Sequence, residues 1–259
     1  MSLGAGTDTR YFRLRDKYPE AHIIYHEIDF PTNTAAKLIN LQRHPQLYTR
    51  LTDKSPPNPL SLSPGATEYH SPTYNIHSLD LRSLVDVEDK TLPTITNLDP
   101  CTPTLLLSEM CLIYLPAVIV SNILSAFLSR YLPAPTPVAL VLYEPILPGD
   151  AFGRTMISNL ASRNIHLPTL LTYPELGDQR QRLKAYGFAD GARAADTQHI
   201  WRKWVSEEEK ERVGSLEMLD ELEELNLLLK HYCVAWGWRD SGEDGVFSRA
   251  WTDVSEQGG

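Results

Sequence analysis

Cysteine is scarce in this chain: Cys101, Cys111 and Cys233 are odd in number, and no Cys-x-x-Cys pair occurs. That speaks against a disulfide framework and against a zinc site, so no metal is expected and a reducing, cytoplasmic setting fits best. Positive charge is also short, with 24 Lys and Arg against 33 Asp and Glu and a net charge of -9. No general field attracts nucleic acid, so an anionic substrate must be met by local basic groups. No basic segment followed by an apolar one opens the chain, and no secretory leader is expected. The one long stretch without a charge is Met110 to Ser129, and Pro116 splits it. Beyond that proline, Ser121, Asn122, Ser125 and Ser129 form a polar stripe opposite Ile119, Ile123 and Phe127, the pattern of an amphipathic helix and not of a bilayer span. No membrane association is expected.

What is present begins at once. Leu3-Gly4-Ala5-Gly6-Thr7-Asp8-Thr9-Arg10 reads as a strand end, a Gly-x-Gly turn and the start of a helix. Two glycines spaced by one residue let the backbone turn sharply and approach a ligand where a Cβ would collide. The next strand-like segment, Ala21 to Phe30, places Asp29 23 residues past Gly6, the spacing at which a carboxylate accepts hydrogen bonds from ribose hydroxyls. A third glycine, used to pack helix on strand under a pyrophosphate, would fall at Thr9. Its absence disfavours NAD and a dehydrogenase, and favours a mononucleoside-like cofactor such as S-adenosylmethionine.

The rest of the chain alternates strands and helices, which predicts an α/β, doubly wound sheet in a single domain. Pro31 starts a helix running to about Arg43. Residues 44–73, rich in proline and serine, read as a surface insertion. Tyr74 to Leu79, Thr104 to Ser108 and Pro137 to Tyr143 read as further strands, delivering Asp80, Glu109 and Glu144 to the edge that carries Asp29. Residues 146–230 read as a mainly helical cover, in which Ser206 with Glu209 makes a capping box and Met218, Leu222, Leu225 and Leu229 share a face. His231 to Trp236 reads as a last strand, and residues 240–259 as a loose tail.

Several segments together resemble the leucine carboxyl methyltransferase family, whose members methylate the C-terminal leucine of the type 2A protein phosphatase catalytic subunit. They are Leu3 to Arg10, His26 to Pro31, Leu79 to Arg82, Leu106 to Tyr114, Tyr143-Glu144-Pro145 with Gly149 to Gly153, and Ser215 to Glu221 leading to His231-Tyr232-Cys233. The resemblance implies a class I S-adenosylmethionine-dependent methyltransferase, Rossmann-like, with a seven-stranded sheet. Carried over by match, Gly4 and Glu109 would hold the methionine part of the cofactor, Asp29 the ribose, and Asp80 with Leu81 the adenine, Ala5 and Gly6 completing the turn. Family members carry a helical segment ahead of the glycine strand, with a lysine and an arginine that reach the cofactor and the substrate. This chain starts inside that strand and is expected to be truncated there.

For such a reaction the nucleophile is the acceptor's own carboxylate, whose ordinary pKa of about 3.3 to 3.7 leaves it ionised at neutral pH. Tyr114, five residues past Glu109, is placed to position the acceptor, and Arg154, Arg180 or Arg182 to supply a counter-charge. The expected partner is the phosphatase catalytic subunit, met by a monomer. The alternatives are a non-catalytic binding module and an O-methyltransferase on another carboxyl acceptor, a small acid or a modified tRNA base.

Overall fold

A computed structural model describes all residues except 52–61, 64, 86–91, 217–221, 241–244 and 259. The chain divides into two compact units, residues 1–102 with 106–108, and residues 103–105 with 109–259.

In the first unit, β1 (Ser2–Leu3) leads through the glycine turn into α1 (Arg10–Lys17), followed by β2 (Tyr25–Asp29), α2 (Pro31–Arg43), α3 (Pro45–Tyr48), β3 (Tyr69–His70), β4 (Tyr74–Ser78) and the middle of β5 (Thr104–Glu109). The strand order is β3-β4-β2-β1-β5. Strands β4, β2 and β1 are parallel, with Leu3 opposite Ile28 and Asp29 opposite Ser78, and β1 also pairs parallel with β5 through Ser2 and Leu107. Parallel pairing puts the ends of β1, β2 and β4 on one edge, the edge on which α/β folds carry ligands. Pro31 occupies the first turn of α2, where its missing N–H costs nothing. Tyr11, Phe12, Tyr25, Leu38, Tyr74 and Ile76 form the core, with the Tyr11 and Tyr74 rings 4.5 Å apart. Each such side chain contributes about 1.5–3 kcal/mol by leaving water. The proline-rich insertion supplies part of this core: Leu51 is buried, Leu47, Tyr48 and Leu62 pack against it, and β3 adds an antiparallel strand. That strand makes eight among the described residues where seven were expected.

The second unit contains the ends of β5, then α4 (Ala117–Ala126), β6 (Val138–Pro145), α5 (Ala151–Ser162), α6 (Leu176–Ala185), β7 (Gly191–Asp196), α7 (Thr197–Lys203), α8 (Glu207–Gly214), α9 (Leu222–Lys230), β8 (Tyr232–Arg239) and α10 (Val246–Ala250). Strands β6, β8 and β7 pair antiparallel in that order. The charge-free stretch forms α4, which buries Val120, Ile123 and Leu124 and leaves Asn122 and Ser125 outside. No described helix is long and apolar enough to cross a membrane. Half of the capping box at Ser206 forms: its side chain accepts the Glu209 N–H at 3.2 Å, while the Glu209 carboxylate pairs with Arg212. Of the face expected in α9, Leu225 and Leu229 are half-buried, while Met218 lies outside the described residues.

Helices α5 to α9 make residues 146–230 mainly helical, with strand β7 among them; its Gly-Ala-Arg-Ala-Ala-Asp sequence has no β-branched residue, and pairing with β8 overrides that weak local preference. The described residues of the tail are bonded to the rest of the second unit. Asp240 accepts N–H bonds from Phe247 and Ser248, Trp238 Nε1 donates to Ser248 at 2.8 Å, and Arg193 donates to the carbonyls of Trp251 and Val254. Glu144 does not reach the strand edge. It lies within β6 opposite Cys233, fully buried against Arg182.

Candidate functional site

The first unit carries Gly4, Ala5, Gly6, Asp29, Asp80 and Leu81 of the expected cofactor residues. Gly4 and Gly6 both adopt left-handed backbone, at φ +65° and +48°. A residue with a Cβ is strained there, so the turn requires glycine at both positions. The N–H groups of Gly4 and Ala5 bond the Ile28 carbonyl at 2.8 and 3.2 Å, and the Gly6 N–H donates to the Asp29 carboxylate at 2.7 Å. Asp29 also accepts from the Phe30 N–H at 2.7 Å and from Asn33 Nδ2 at 2.8 Å. The carboxylate is thus held in one orientation at the end of β2, half-buried, with acceptor capacity left over. A Cβ built on Gly6 would meet no atom within 4 Å, so the backbone faces open space and conformation alone demands the glycine.

Asp80 and Leu81 follow β4 on the same edge, linked to Asp29 through the Leu79 N–H to Asp29 carbonyl bond of 2.9 Å. Asp80 caps the short 3₁₀ turn Leu81–Leu84 and pairs with Arg82 at 2.6 Å. The Arg82 side chain holds its carboxyl below the usual carboxylate range. Leu81 is buried, and the Arg82 guanidinium lies 5.8 Å from the Phe30 ring centre.

Lys37 is the residue here that sequence reading missed. Its ammonium bonds the Asp8 carbonyl at 2.7 Å and pairs with buried Glu27, which also accepts from Tyr74 Oη at 2.9 Å. Burial pushes the Glu27 carboxyl up to about 7, with Lys37 pulling the other way. Asp8 in turn accepts from Tyr25 Oη at 2.7 Å. Lys37 therefore ties α2 to the glycine turn. The signal was available: Thr34 and Leu41 are buried on α2, and Lys37 stands three residues after one and four before the other.

The second unit carries Glu109, Tyr114 and Arg154. Glu109 is the exposed last residue of β5, and Met110 after it sits at φ +48°, pinned by its N–H bond to the Tyr143 carbonyl at 3.0 Å. A non-glycine residue in that region stores strain, a feature found at ligand-binding sites. Tyr114 ends the turn Leu112–Tyr114 with 45% of its surface exposed. Nearby, the rings of Tyr143 and Tyr232 stack at 5.5 Å. Arg154 lies in the first turn of α5, exposed, its guanidinium on the Gly149 carbonyl. The other two candidate arginines are already committed: Arg180 pairs with Glu256 at 2.8 Å, and Arg182 is buried on Glu144. Among the described residues no group of three or more His, Cys, Asp or Glu side chains is arranged to hold a metal ion.

A strand, a two-glycine turn and a helix, with an acidic side chain fastened to that turn from the end of the next strand, form an arrangement that fits a class I S-adenosylmethionine-dependent methyltransferase. The sequence profile of leucine carboxyl methyltransferase matches residues 1–128. Leucine carboxyl methyltransferase 1 of Aspergillus fumigatus is 44% identical over 279 aligned positions, covering 100% of this chain and 70% of the relative. That of Emericella nidulans is 50% identical over 250, covering 92% of this chain and 64% of the relative. The chain therefore spans about two thirds of the length of these relatives. It belongs to the leucine carboxyl methyltransferase family. Among solved structures, phosphoethanolamine N-methyltransferase 2 of Haemonchus contortus in complex with S-adenosyl-L-methionine is similar at 13% identity and a TM-score of 0.48, over 93% of this chain and 48% of that one.

The cofactor of the class is S-adenosylmethionine, and the turn fits it. Open space beside Gly6 admits a ligand, and the oriented Asp29 carboxylate offers an acceptor for ribose hydroxyls.

Proposed function

We propose that this chain forms a methyl ester on the C-terminal leucine α-carboxylate of a type 2A protein phosphatase catalytic subunit, acting in the cytoplasm as a monomer. The observation that carries the reading is the similarity, along the whole chain, to a relative named for leucine carboxyl methylation. In this reading Gly4, Ala5, Gly6 and Asp29 hold the turn and ribose side of the cofactor, Asp80 and Leu81 its base, and Glu109 its amino-acid end. S-adenosylmethionine, when bound, supplies an electrophilic methyl group. The acceptor carboxylate is ionised at neutral pH and needs no general base. What the protein contributes is alignment and exclusion of water, worth up to roughly 7–11 kcal/mol of barrier in favourable cases. Tyr114 positions the acceptor, and Arg154 supplies positive charge, since its guanidinium has no carboxylate partner among the described residues.

A phosphatase catalytic subunit ending in leucine is expected to take up label from methyl-tritiated cofactor, and the same subunit amidated at its C terminus is not. Equal labelling of the two would overturn a carboxylate acceptor. For the cofactor, Asp29→Ala is expected to weaken S-adenosylmethionine binding about ten- to 150-fold, the equivalent of one charged hydrogen bond at roughly 1.5–3 kcal/mol. Calorimetry checks this, and unchanged affinity would remove Asp29 from the site.

A further inference from the structure

His231, just ahead of β8, is fully buried and stands between two acceptors. Its Nδ1 lies 2.7 Å from the Leu227 carbonyl oxygen in α9, and its Nε2 lies 3.0 and 2.9 Å from the two carboxylate oxygens of Asp150. A carbonyl and an ionised carboxylate only accept, and a neutral imidazole has a single N–H to donate. Both bonds therefore form together only when His231 carries a proton on each nitrogen. Asp150 is ionised, its carboxyl held below the usual range by the Gly153 N–H.

Asp150 is also the N-cap of α5, accepting the Gly153 N–H at 2.8 Å. The Phe152 ring lies 4.3 Å from the His231 ring, and the His231 carbonyl takes the Ile146 N–H at 2.8 Å. Backbone and side chain of one histidine thus fasten both ends of the loop between β6 and α5. That loop is tight: a Cβ on Gly153 would lie 2.1 Å from the Leu147 carbonyl oxygen. Arg154 stands in the turn so fastened.

We propose that His231 is a positioning residue, a proton-dependent latch that sets the first turn of α5, and with it Arg154, through Asp150. Among the described residues Asp150 is the charged side chain in contact with this imidazole; α9 faces it with a carbonyl, α5 with the Phe152 ring, and the neighbouring Glu144 is committed to Arg182. A neutral ring has one N–H for these two acceptors, so the Asp150 carboxylate and the Leu227 carbonyl then compete for it and the fastening of Asp150 loosens. The acceptor carboxylate stays ionised throughout this range, so a rise in the acceptor KM at constant kcat comes from the latch and not from the nucleophile. The effect on turnover rests on the acceptor reading above; the latch itself does not.

Asp150→Asn separates the two. Asparagine is as good an N-cap as aspartate, and its amide can donate to a neutral Nε2 as readily as its oxygen accepts from a protonated one. Exchange protection of the Phe152 and Gly153 amides in the wild-type protein is expected to fall about tenfold as His231 deprotonates, and to stay flat in Asp150→Asn. The ¹⁵N spectrum of the wild-type His231 ring at the low-pH end is expected to show two protonated nitrogens. Parallel protection profiles in the two proteins, or a His231 ring with one N–H throughout, would overturn the latch. If no C-terminal carboxylate is methylated while protection behaves as described, the acceptor reading fails and the latch stands.

Discussion

Arg182→Met is expected to destabilise the protein by about 3–5 kcal/mol, the cost of stranding one member of a buried ion pair. Arg182 and Glu144 are both inaccessible to solvent, and the guanidinium bonds both carboxylate oxygens. It also donates to Gln179 Oε1 and Tyr186 Oη, each at 3.1 Å, and lies 4.8 Å from the centre of the Tyr173 ring. Methionine fills similar space but leaves the Glu144 carboxylate with no counter-charge in an apolar layer. Glu144→Gln combined with Arg182→Met removes both charges, and most of the lost stability is expected to return, because an uncharged pair carries no uncompensated desolvation. Urea unfolding of the single and double variants checks both points. Equal stability of Arg182→Met and wild type would show that the pair is not buried in solution.

Acid is expected to weaken the first unit through His26 and His77. These side chains are buried on β2 and β4, with Nδ1 of one 3.0 Å from Nε2 of the other and the rings stacked. Burial lowers His26 to about 4 and His77 to about 3, and the imidazoles of His26 and His70 push His77 in the same direction. In the unfolded chain both take up protons near 6.5. Between that pH and about 4 the unfolded state binds more protons than the folded one, so stability is present above 6.5 and is lost as pH falls. His26 alone accounts for about 3 kcal/mol over that interval. Glu27, raised to about 7, titrates with the opposite sign. Comparison with His77→Gln isolates the histidine contribution: thermal melts between pH 7 and pH 4.5 are expected to drop more steeply for wild type than for the variant. Parallel drops would assign the acid sensitivity elsewhere.

Much of the first unit was legible because its signals are local. Two glycines before a helix, a proline opening α2 and an acidic residue at the end of β2 each impose backbone or hydrogen-bonding demands within a few residues, and all three stand where their spacing put them. Gly187, just past the end of α6, takes the left-handed backbone that closes a helix, at φ +103°. The second unit was less legible. Strand β7 has the composition of a loop and becomes a strand only by pairing with β8, from sequence far beyond it. The described tail residues are fastened by Asp240, Arg193 and Gln257, which bond across 7 to 61 residues. Of three candidate arginines, sequence could not choose, since partners at Glu144 and Glu256 are distant along the chain.

By itself, then, the sequence determined the alternation of strands and helices, the cofactor turn with its carboxylate, and the family, all written in residue types at short, fixed spacings. Only the tertiary structure decided which charges are spent inside the protein and which remain available: Glu144 with Arg182 and Glu27 with Lys37 are closed pairs, while Asp150 reaches both its own helix and His231 81 residues away. The reason is physical. A backbone conformation is set by neighbours in sequence, whereas the state of an ionisable group is set by whatever the folded chain places within a few ångströms of it, where the dielectric is low and a partner is worth far more than in water.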